Sequence, residues 1–547
     1  MKKDKLKPML FSVMKSYNKG QLVKDIVAGV IVAIIALPLS IALALASGVG
    51  PEEGIYTAII AGFLIAFLGG SRVQIAGPTA AFATIVAGIV AKNGMDGLMV
   101  ATIMAGIILV IMGILRLGNL IKFIPYTITT GFTAGIAVTI VIGQIKDFLG
   151  ITYLEGLAPI ETMEKAEALI KSASTFNYQA LIVGAVCLAI LIIWPKISKK
   201  IPGSLIAVIV GIAMVKLFKM NVNTIGDLYT IQSGFPSIKI PSVNMGMVVT
   251  LLPDAFTIAI LAGIESLLSC VVADGMINSH HRSNMELVAQ GVGNIGSAMF
   301  GGIPATGAIA RTAANINNGG RTPVAGIVHS LVLVLVLLVL MPYAEWIPMP
   351  AIAAILFVVA YNMCQWRVFV HLCKKAPKSD ILVLVVSFVL TVVFDLVIAI
   401  EVGLVMACIL FMKRMSDESE IKGWKYYDAD NDPDGQELRE ISNHIRVYEI
   451  NGPMFFGDAD IIAQISTKEF TRCLVIRMRG VPALDVTALN ALDKLWEGCN
   501  KKGITVIFSH VNEQPMKMME KAGFVNKVGE ENFCANISAA LDRAETL

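Results

Sequence analysis

Long apolar runs separated by short polar connections fill most of the chain up to residue 412. Fourteen runs lie near residues 25–47, 54–69, 77–91, 97–117, 123–145, 179–194, 201–218, 247–273, 285–301, 304–317, 323–342, 348–363, 380–395 and 397–412. The longer runs have the length that a helix needs to cross a hydrocarbon core of about 30 Å. The pattern predicts an α-helical polytopic membrane protein with fourteen transmembrane segments.

Two of these runs are too short to cross the bilayer, and each contains a proline beside small residues at its start. The third run begins with Gly77-Pro78-Thr79-Ala80, and the tenth begins with Pro304-Ala305-Thr306-Gly307-Ala308. As helices they would reach only about 20 Å. Such interrupted segments occur at membrane depth where protein or a water-filled cavity covers their ends.

The two short runs hold corresponding positions, because each is the third of a set of seven. Pro78 and Pro304 are 226 residues apart, and Pro125 and Pro348, which open the fifth and twelfth runs, are 223 apart. An odd number of segments per set makes the two repeats inverted. Paired interrupted segments indicate a transporter whose site lies between half-helix N-termini. Their unpaired N–H groups and partial positive charge predict an anion as cargo.

Basic residues concentrate in every second connection. The even-numbered connections carry Arg72, Arg116, Lys122, Lys196, Lys199, Lys200, Arg282, Arg321, Arg367, Lys374, Lys375, Lys378, Lys413 and Arg414. The odd-numbered connections are more acidic and carry Glu52, Glu53, Glu155, Glu161, Glu164, Glu167 and Glu345. By the positive-inside rule, both termini are predicted to be cytoplasmic in a multi-pass protein of the inner (plasma) membrane.

Composition narrows the function further. Hydrophobic residues make up 56% of the chain and charged residues 16%, against about 25% charged in soluble domains. The eight cysteines show no CxxC spacing and no clustered histidines, so neither a metal site nor a disulfide framework is predicted. The chain has no GxxxxGK[ST] motif, which would favour ATP-driven transport. We therefore predict a secondary transporter that is not an enzyme, with no cofactor and no nucleic-acid partner.

Two charged residues in apolar runs are candidates for the chemistry of transport. Glu265 lies near the middle of the eighth run, where a carboxylate costs about 2.5–3.5 kcal/mol and needs a partner, water or a proton. It is predicted either to carry a coupling proton or to be a structural carboxylate paired with Arg311. Arg311 either attracts the anion or neutralises Glu265. Ser269, one turn beyond Glu265, could line the same cavity, and Thr79 and Thr306 could cap backbone or touch the ligand.

The composition changes after Arg414. Four regions are predicted: a cytoplasmic N-terminal tail (1–24), a transmembrane transport domain (25–414), a charged linker (415–439) and a C-terminal α/β domain (440–547). Strands are expected at 444–450, 473–478 and 504–509, with helices at 485–500, 513–522 and 536–546. Asp485 is the expected N-cap of the first of these helices.

Several stretches together resemble the sulfate permease (SulP) family, also called solute carrier family 26. They include KDIVAGVIVAIIALPLSIALALASGV, QIAGPTAAF, FIPYTITTGFTAGIAVTI, ELVAQGVGNIGSAMFGGIPATGAIARTAANI and RTPVAGIVHS. The tail resembles the family's cytoplasmic STAS domain, with Leu484-Asp485-Val486-Thr487-Ala488-Leu489 at its signature turn. Phospho-switched STAS domains have serine directly after the aspartate. Here Val486 stands there and Thr487 follows, so that kind of switching is not predicted.

The resemblance implies core and gate domains, elevator-like motion, a homodimer and a cytoplasmic partner for the STAS domain. It places the anion between segments three and ten, near residues Gly77, Pro78, Thr79, Ala80, Ala305, Thr306, Gly307, Ala308, Arg311 and Glu265. Sulfate is the family default, with bicarbonate or a C4-dicarboxylate as alternatives. At the acidic position of segment eight Glu265 replaces a shorter Asp, which favours proton symport over sodium coupling. An uncoupled anion channel, a nucleobase transporter and a membrane-tethered regulator remain alternatives.

Overall fold

The computed structural model describes residues 6–118, 125–154, 159, 161–197, 202–231, 234–241, 244–394, 396–417, 420–424, 441–456, 462, 465–468 and 470–547. The chain divides into two compact units, Met1–Leu404 and Val405–Leu547. The predicted boundary at residue 414 falls instead inside one continuous helix, Leu396–Asp417. The predicted apolar run 397–412 continues past the unit boundary, so no local signal ends the helix there.

Helices make up the first unit. They are α1 (Leu10–Val13), α2 (Lys19–Ala46), α3 (Pro51–Leu68), α4 (Ala83–Ile114), α5 (Tyr126–Leu149), α6 (Thr162–Lys171), α7 (Tyr178–Ile197), α8 (Gly203–Leu217), α9 (Ile225–Leu228), α10 (Met245–Ile277), α11 (Ser283–Met299), α12 (Ile309–Asn317), α13 (Val324–Val339), α14 (Met349–Cys364), α15 (Trp366–Lys375), α16 (Lys378–Val393) and α17 (Leu396–Asp417). Within the described residues, seven helical segments are individually long and apolar enough to cross a membrane. Helix occurs at all fourteen predicted positions in this part of the chain, which confirms the polytopic helical fold.

The helix α4 contains the predicted third and fourth segments. Gly94 breaks it with φ 67° and ψ −171°, a backbone conformation that glycine adopts without a Cβ clash. No side-chain or backbone atom lies near the position that a Cβ on Gly94 would take. The requirement for glycine here is therefore conformational, and the break separates the short third segment from the fourth.

The helix contacts repeat between the two halves. In the first repeat α2 packs on α13, and in the second the equivalent α10 packs on α4. The contact of α3 with α13 corresponds to that of α11 with α4, and the contact of α5 with α16 corresponds to that of α14 with α7. We call α2–α4 and α10–α13 the core group, and α5, α7, α8, α14 and α16 the gate group. In each case a helix of one repeat packs on a helix of the other, and the equivalent contact occurs with the two repeats interchanged. This is the pattern of two inverted seven-segment repeats.

The N-terminal segment differs from the predicted tail. Helix α2 begins at Lys19, six residues before the apolar run, because the Asn18 side chain accepts a hydrogen bond from the Gln21 amide at 2.8 Å. Met9 and Leu10 are buried, and the Met9 amide donates to the Gly69 carbonyl at 2.8 Å. Residues 9–46 therefore belong to the folded membrane unit, and the boundary predicted after residue 24 falls inside helix α2.

The second unit contains a five-stranded sheet in the order β3 (Glu420–Trp424), β4 (Ile445–Asn451), β5 (Cys473–Gly480), β6 (Thr505–Ser509) and β7 (Phe533–Cys534). Strands β4 to β7 are parallel and β3 is antiparallel to β4. The described helices are Val486–Lys501, Glu513–Lys521, Phe524–Val528 and Ile537–Glu545. This confirms the α/β fold. The linker predicted at 415–439 is wrong over Glu420–Trp424, a charged edge strand, and its residues 425–439 lie outside the described residues.

Candidate functional site

The two proline-containing chain breaks meet in the core group. Strands β1 (Ala76–Gly77) and β2 (Thr306–Gly307) form an antiparallel pair in which Ala76 is opposite Gly307 and Gly77 is opposite Thr306. Only two residues pair on each side, because Pro78 lacks the N–H group that would continue the ladder. Residues that are 231 and 229 positions apart in sequence are thereby fixed side by side, with a helix starting after each strand.

Both helix starts lack a side-chain cap. A short 3-10 turn, Ala80–Phe82, leads into α4, and α12 begins at Ile309 after Ala308. The first amides of a helix have no intrahelical acceptor and can therefore bind an anion. The Ala308 amide, one of the predicted donors, is already bonded to the Ile75 carbonyl at 2.9 Å. The unpaired amides of this helix start are consequently those of the residues that follow Ala308.

Other predicted backbone donors hold the breaks in place. The Ala305 amide donates to Asn294 Oδ1 at 2.8 Å, and Asn294 Nδ2 donates to the Ala305 carbonyl at 2.9 Å. The Thr306 hydroxyl donates to the Ala262 carbonyl of α10 at 2.9 Å and is fully buried. The Thr306 hydroxyl was predicted either to cap backbone or to touch the ligand, and in the structure it bonds to a backbone carbonyl.

A few residues at the junction reach solvent. Thr79, Glu265 and Ala308 are half-buried, whereas Ile309 and Ala310 are exposed, Ile309 by 42%. We call these five residues the mouth. An exposed isoleucine at the start of a half-helix inside a membrane unit marks an open space beside that helix end. The mouth is thus the accessible side of the junction between the two breaks.

Arg311 lies one side-chain layer behind the mouth, on α12. It is 1% exposed, and its Nη2 donates to the Pro78 carbonyl at 3.0 Å. Its Nε and Nη1 have no hydrogen-bond partner among the described residues. A Cβ at Gly77 would lie 2.5 Å from Nη1, so only glycine leaves room for the guanidinium. The arrangement places a permanent positive charge with unused donors beside both helix starts.

Glu265 meets Thr79 rather than Arg311. The Thr79 hydroxyl donates to Glu265 Oε2 at 3.0 Å. Within the described part of the chain, Glu265 and Arg311 form no ion pair, so the predicted structural pairing is absent. Arg311 keeps two nitrogen donors without a partner among the described residues, and Glu265 is only half-buried. This geometry favours separate roles for the two residues.

Ser269 has a different environment from Glu265. It is 1% exposed, and its Oγ lies 3.4 Å from Thr312 Oγ1. Thr312 Oγ1 in turn accepts a hydrogen bond from the Ile75 amide at 3.0 Å. Ser269 therefore supports the backbone that precedes β1, and its hydroxyl is not part of the mouth.

A second buried carboxylate, Glu286 on α11, is absent from the predicted set. Its Oε2 accepts from the Gly70 amide at 2.8 Å and from the Ser71 amide at 3.1 Å. Its Oε1 accepts from Gln74 Nε2 at 2.8 Å and from Gln290 Nε2 at 3.2 Å. We call these five residues the clamp. They fix the loop that leads into β1. The presence of a carboxylate in the ninth apolar run was the sequence signal from which the importance of Glu286 could have been predicted.

In the second unit, Asp485 has the predicted role. It is the N-cap of helix Val486–Lys501, and its Oδ1 accepts from the Ala488 amide at 2.8 Å. Val486 and Thr487 are exposed at this turn. The Thr487 hydroxyl therefore faces solvent next to the helix start.

Comparison with known families and proteins gives matches over nearly the whole chain. The model of the sulfate permease family matches residues 22–387, and that of the STAS domain matches residues 437–543. YvdB, a candidate sulfate transporter of Bacillus subtilis, is 38% identical over 95% of this chain and 97% of its own. The bicarbonate transporter BicA of Picosynechococcus is 32% identical over 95% of this chain and 94% of its own.

Solved structures share the fold. The murine Solute Carrier 26 family member A9 anion transporter, in its inward-facing state, matches with a TM-score of 0.89 at 20% identity, covering 99% of this chain and 94% of that one. The transmembrane domain of a cyanobacterial BicA matches with a TM-score of 0.62 at 30% identity, covering 72% and 98% respectively. The sequence motifs, the paired chain breaks and these matches agree: the chain belongs to the sulfate permease family and carries a STAS domain.

Proposed function

We propose that this protein is a secondary active transporter of a small oxyanion, with sulfate as the first candidate and bicarbonate as the second. The observation that carries the proposal is the β1–β2 pair, which sets two uncapped helix starts beside the buried guanidinium of Arg311. Two partial positive charges and one full positive charge then converge on the mouth. YvdB, a candidate sulfate transporter, and the bicarbonate transporter BicA supply the two candidate oxyanions.

The anion binds at the mouth, between the starts of the third and tenth segments. Its oxygens accept hydrogen bonds from free amides that follow Thr79 and Ala308, while Arg311 supplies attraction from behind. An anion bound in a poorly hydrated site interacts more strongly with such donors than it would in water. The same preorganised donors suit sulfate, bicarbonate or one end of a dicarboxylate.

Glu265 couples anion movement to protons. A carboxylate opposite an anion repels it, whereas a protonated carboxyl group can donate a hydrogen bond to it. Protonation of Glu265 would therefore favour anion binding, and anion and proton would move together as symport. The Thr79 hydroxyl, bonded to Glu265 at 3.0 Å, places this carboxyl at the edge of the mouth.

Transport requires that the mouth open to each side of the membrane in turn. We propose that the core group, which contains the complete site, moves as a body against the gate group in an elevator-type cycle. Both termini face the cytoplasm, in the inner (plasma) membrane, because basic residues are concentrated in the even-numbered connections of the predicted topology. The protein acts as a homodimer.

The test is uptake of labelled sulfate by proteoliposomes that contain the full chain, under an inward proton gradient. Unlabelled bicarbonate and succinate serve as competitors, and a protonophore removes the gradient. We expect uptake of labelled sulfate that depends on the proton gradient. An unlabelled anion that the protein also transports should reduce this uptake. Arg311→Gln is expected to weaken the apparent affinity by at least about tenfold, because the attraction of a full positive charge a few ångströms from the anion contributes more than about 1.4 kcal/mol in a poorly hydrated site.

The outcomes separate the alternatives. Uptake that survives the protonophore would replace symport by an uncoupled channel or exchanger with the same site. Uptake of labelled bicarbonate in the absence of sulfate uptake would move the substrate to bicarbonate. A folded protein that moves none of the three anions, while Arg311→Gln behaves like the wild type, would remove the proposed function.

A further inference from the structure

A second unpartnered polar side chain lies behind the anion site. His329 on α13 is fully buried, and neither ring nitrogen has a hydrogen-bond partner among the described residues. Buried polar groups are nearly always paired, and each exception requires an explanation. The neighbouring Ser330, by contrast, donates to the Ala58 carbonyl at 3.4 Å and to the Gly326 carbonyl at 3.3 Å.

Arg311 lies beside Gly77 of β1, and His329 lies beside Gly62 of α3, the helix that packs on β1. A Cβ at Gly62 would lie 3.3 Å from the Ala76 carbonyl oxygen and 4.0 Å from His329 Cδ2. A Cβ at Gly77, the next residue in β1, would lie 2.5 Å from Arg311 Nη1 and 3.6 Å from the Ala58 Cα. Ala58 and Gly62 are one helical turn apart on α3. Both side chains therefore lie beside the same face of α3, at successive turns of that helix.

Four polar nitrogens of these two side chains have no hydrogen-bond partner among the described residues: Nε and Nη1 of Arg311, and Nδ1 and Nε2 of His329. A buried water molecule typically has two to four such partners, so water can satisfy this set. The imidazole has one donor and one acceptor when neutral, whereas the guanidinium only donates. The ring can therefore accept, through water, a hydrogen bond that originates at Arg311.

We propose that His329 is a positioning residue of the anion site, which holds Arg311 through water in a pocket shared by α3, α12, α13 and β1. The inference deepens the proposed function and rests on it. A carboxylate at this position would also orient the guanidinium, but it would cancel the charge that attracts the anion. A neutral imidazole orients Arg311 and leaves its full charge for the anion.

The first test does not depend on the identity of the transported anion. It is a high-resolution map of the full chain in lipid nanodiscs without added oxyanion. We expect ordered water within about 3.2 Å of both the His329 ring and the Arg311 guanidinium. A dry contact between the two side chains, or density that reaches only one of them, overturns the proposal.

The second test separates positioning from packing, with the apparent KM and maximal rate of uptake as readouts. His329→Leu is expected to raise KM by up to about tenfold at a similar maximal rate and by no more than Arg311→Gln does, because Arg311 is then no longer held in the orientation that favours the anion. His329→Gln, neutral and able to donate and accept, should recover most of the affinity. His329→Glu should raise KM further than His329→Leu, since its charge neutralises Arg311. Ser330→Ala is the matched control and should leave KM unchanged.

A double-mutant cycle completes the argument. On an Arg311→Gln background, His329→Leu should have no further effect on KM, because the residue acts through the guanidinium. Additive effects, or His329→Glu equal to His329→Gln, overturn the proposal. If the wild type takes up none of the tested anions, the proposed function is wrong. The map of ordered water would then still test whether His329 holds Arg311.

Discussion

The clamp and the mouth each contain a glutamate within the core group, but the two carboxylates have opposite surroundings. Glu286 is fully buried and accepts from two backbone amides and two glutamine side chains. Glu265 is half-buried and accepts from one hydroxyl, that of Thr79. A carboxylate whose lone pairs are all used can only hold structure. One with unused capacity and access to solvent can exchange a proton and respond to a ligand.

The difference shows that depth in the membrane does not identify a functional acid. Both residues lie in apolar runs, and burial is greater for Glu286. What distinguishes them is the number of donors that the folded chain brings to each. The comparison therefore predicts that substitutions in the clamp reduce stability and that substitutions at the mouth change transport.

The largest loss of stability is expected from Glu286→Ala. The substitution leaves the amides of Gly70 and Ser71 and the Gln74 side chain without their acceptor, at about 1–3 kcal/mol for each buried donor. We expect the free energy of unfolding to fall by at least about 3 kcal/mol, measured as a lower Tm of the purified protein. Glu286→Gln should lie between this variant and the wild type. A wild-type Tm for Glu286→Ala would remove the structural role of the clamp.

A smaller loss is expected where the clamp meets the mouth. A Cβ at Gly307 would collide with the side-chain amide of Gln74, which Glu286 and Ser266 hold in place. Gly307→Ala should therefore cost about 1–3 kcal/mol, as overpacking does, and also weaken anion affinity by moving β2. Gly88→Ala is the matched control, since nothing lies near its Cβ position. Equal Tm and KM values for the two variants would separate the clamp from the site.

Much of the fold could be predicted because each apolar run contains its own signal. Pro78 and Pro304 mark the two breaks, and their separation gives the repeat before any contact is known. The start of α2 was missed because the polar first turn, capped by Asn18, hides it. Strand β3 was missed because an edge strand tolerates the charges of Glu420 and Lys422.

The site was less predictable because its contacts join distant residues. Glu286 and Gly70 are 216 positions apart, and no local pattern relates them. Arg311 was the obvious charged partner for Glu265, yet β1 brings the Thr79 hydroxyl to the carboxylate and the Pro78 carbonyl to the guanidinium. Residue type identifies the candidates, and only the register between the two breaks decides which of them meet.

At the mouth, Glu265→Gln should change transport with little effect on folding. The amide oxygen of glutamine can still accept from Thr79, so we expect the free energy of unfolding to change by less than about 1 kcal/mol. The variant cannot exchange a proton, so uptake of labelled sulfate should no longer respond to a pH gradient. The measurement is uptake with and without the gradient, beside Tm. A Tm loss as large as that of Glu286→Ala, with coupling retained, would reverse the assignment of the two glutamates.

The smallest change is expected from Thr79→Val, which removes the one hydroxyl that Glu265 accepts from and keeps the side-chain shape. A carboxylate that loses a donor is less stable in its charged form, so protonation extends to higher pH. The midpoint of the pH dependence of uptake should move to higher pH by about one unit, since the hydroxyl contributes about 1.5–3 kcal/mol to the charged carboxylate and about 0.5–1.5 kcal/mol to the neutral acid. Thr79→Ser keeps the hydroxyl and should retain the wild-type midpoint. A midpoint that is the same in all three proteins would mean that Thr79 holds the helix start and does not adjust Glu265.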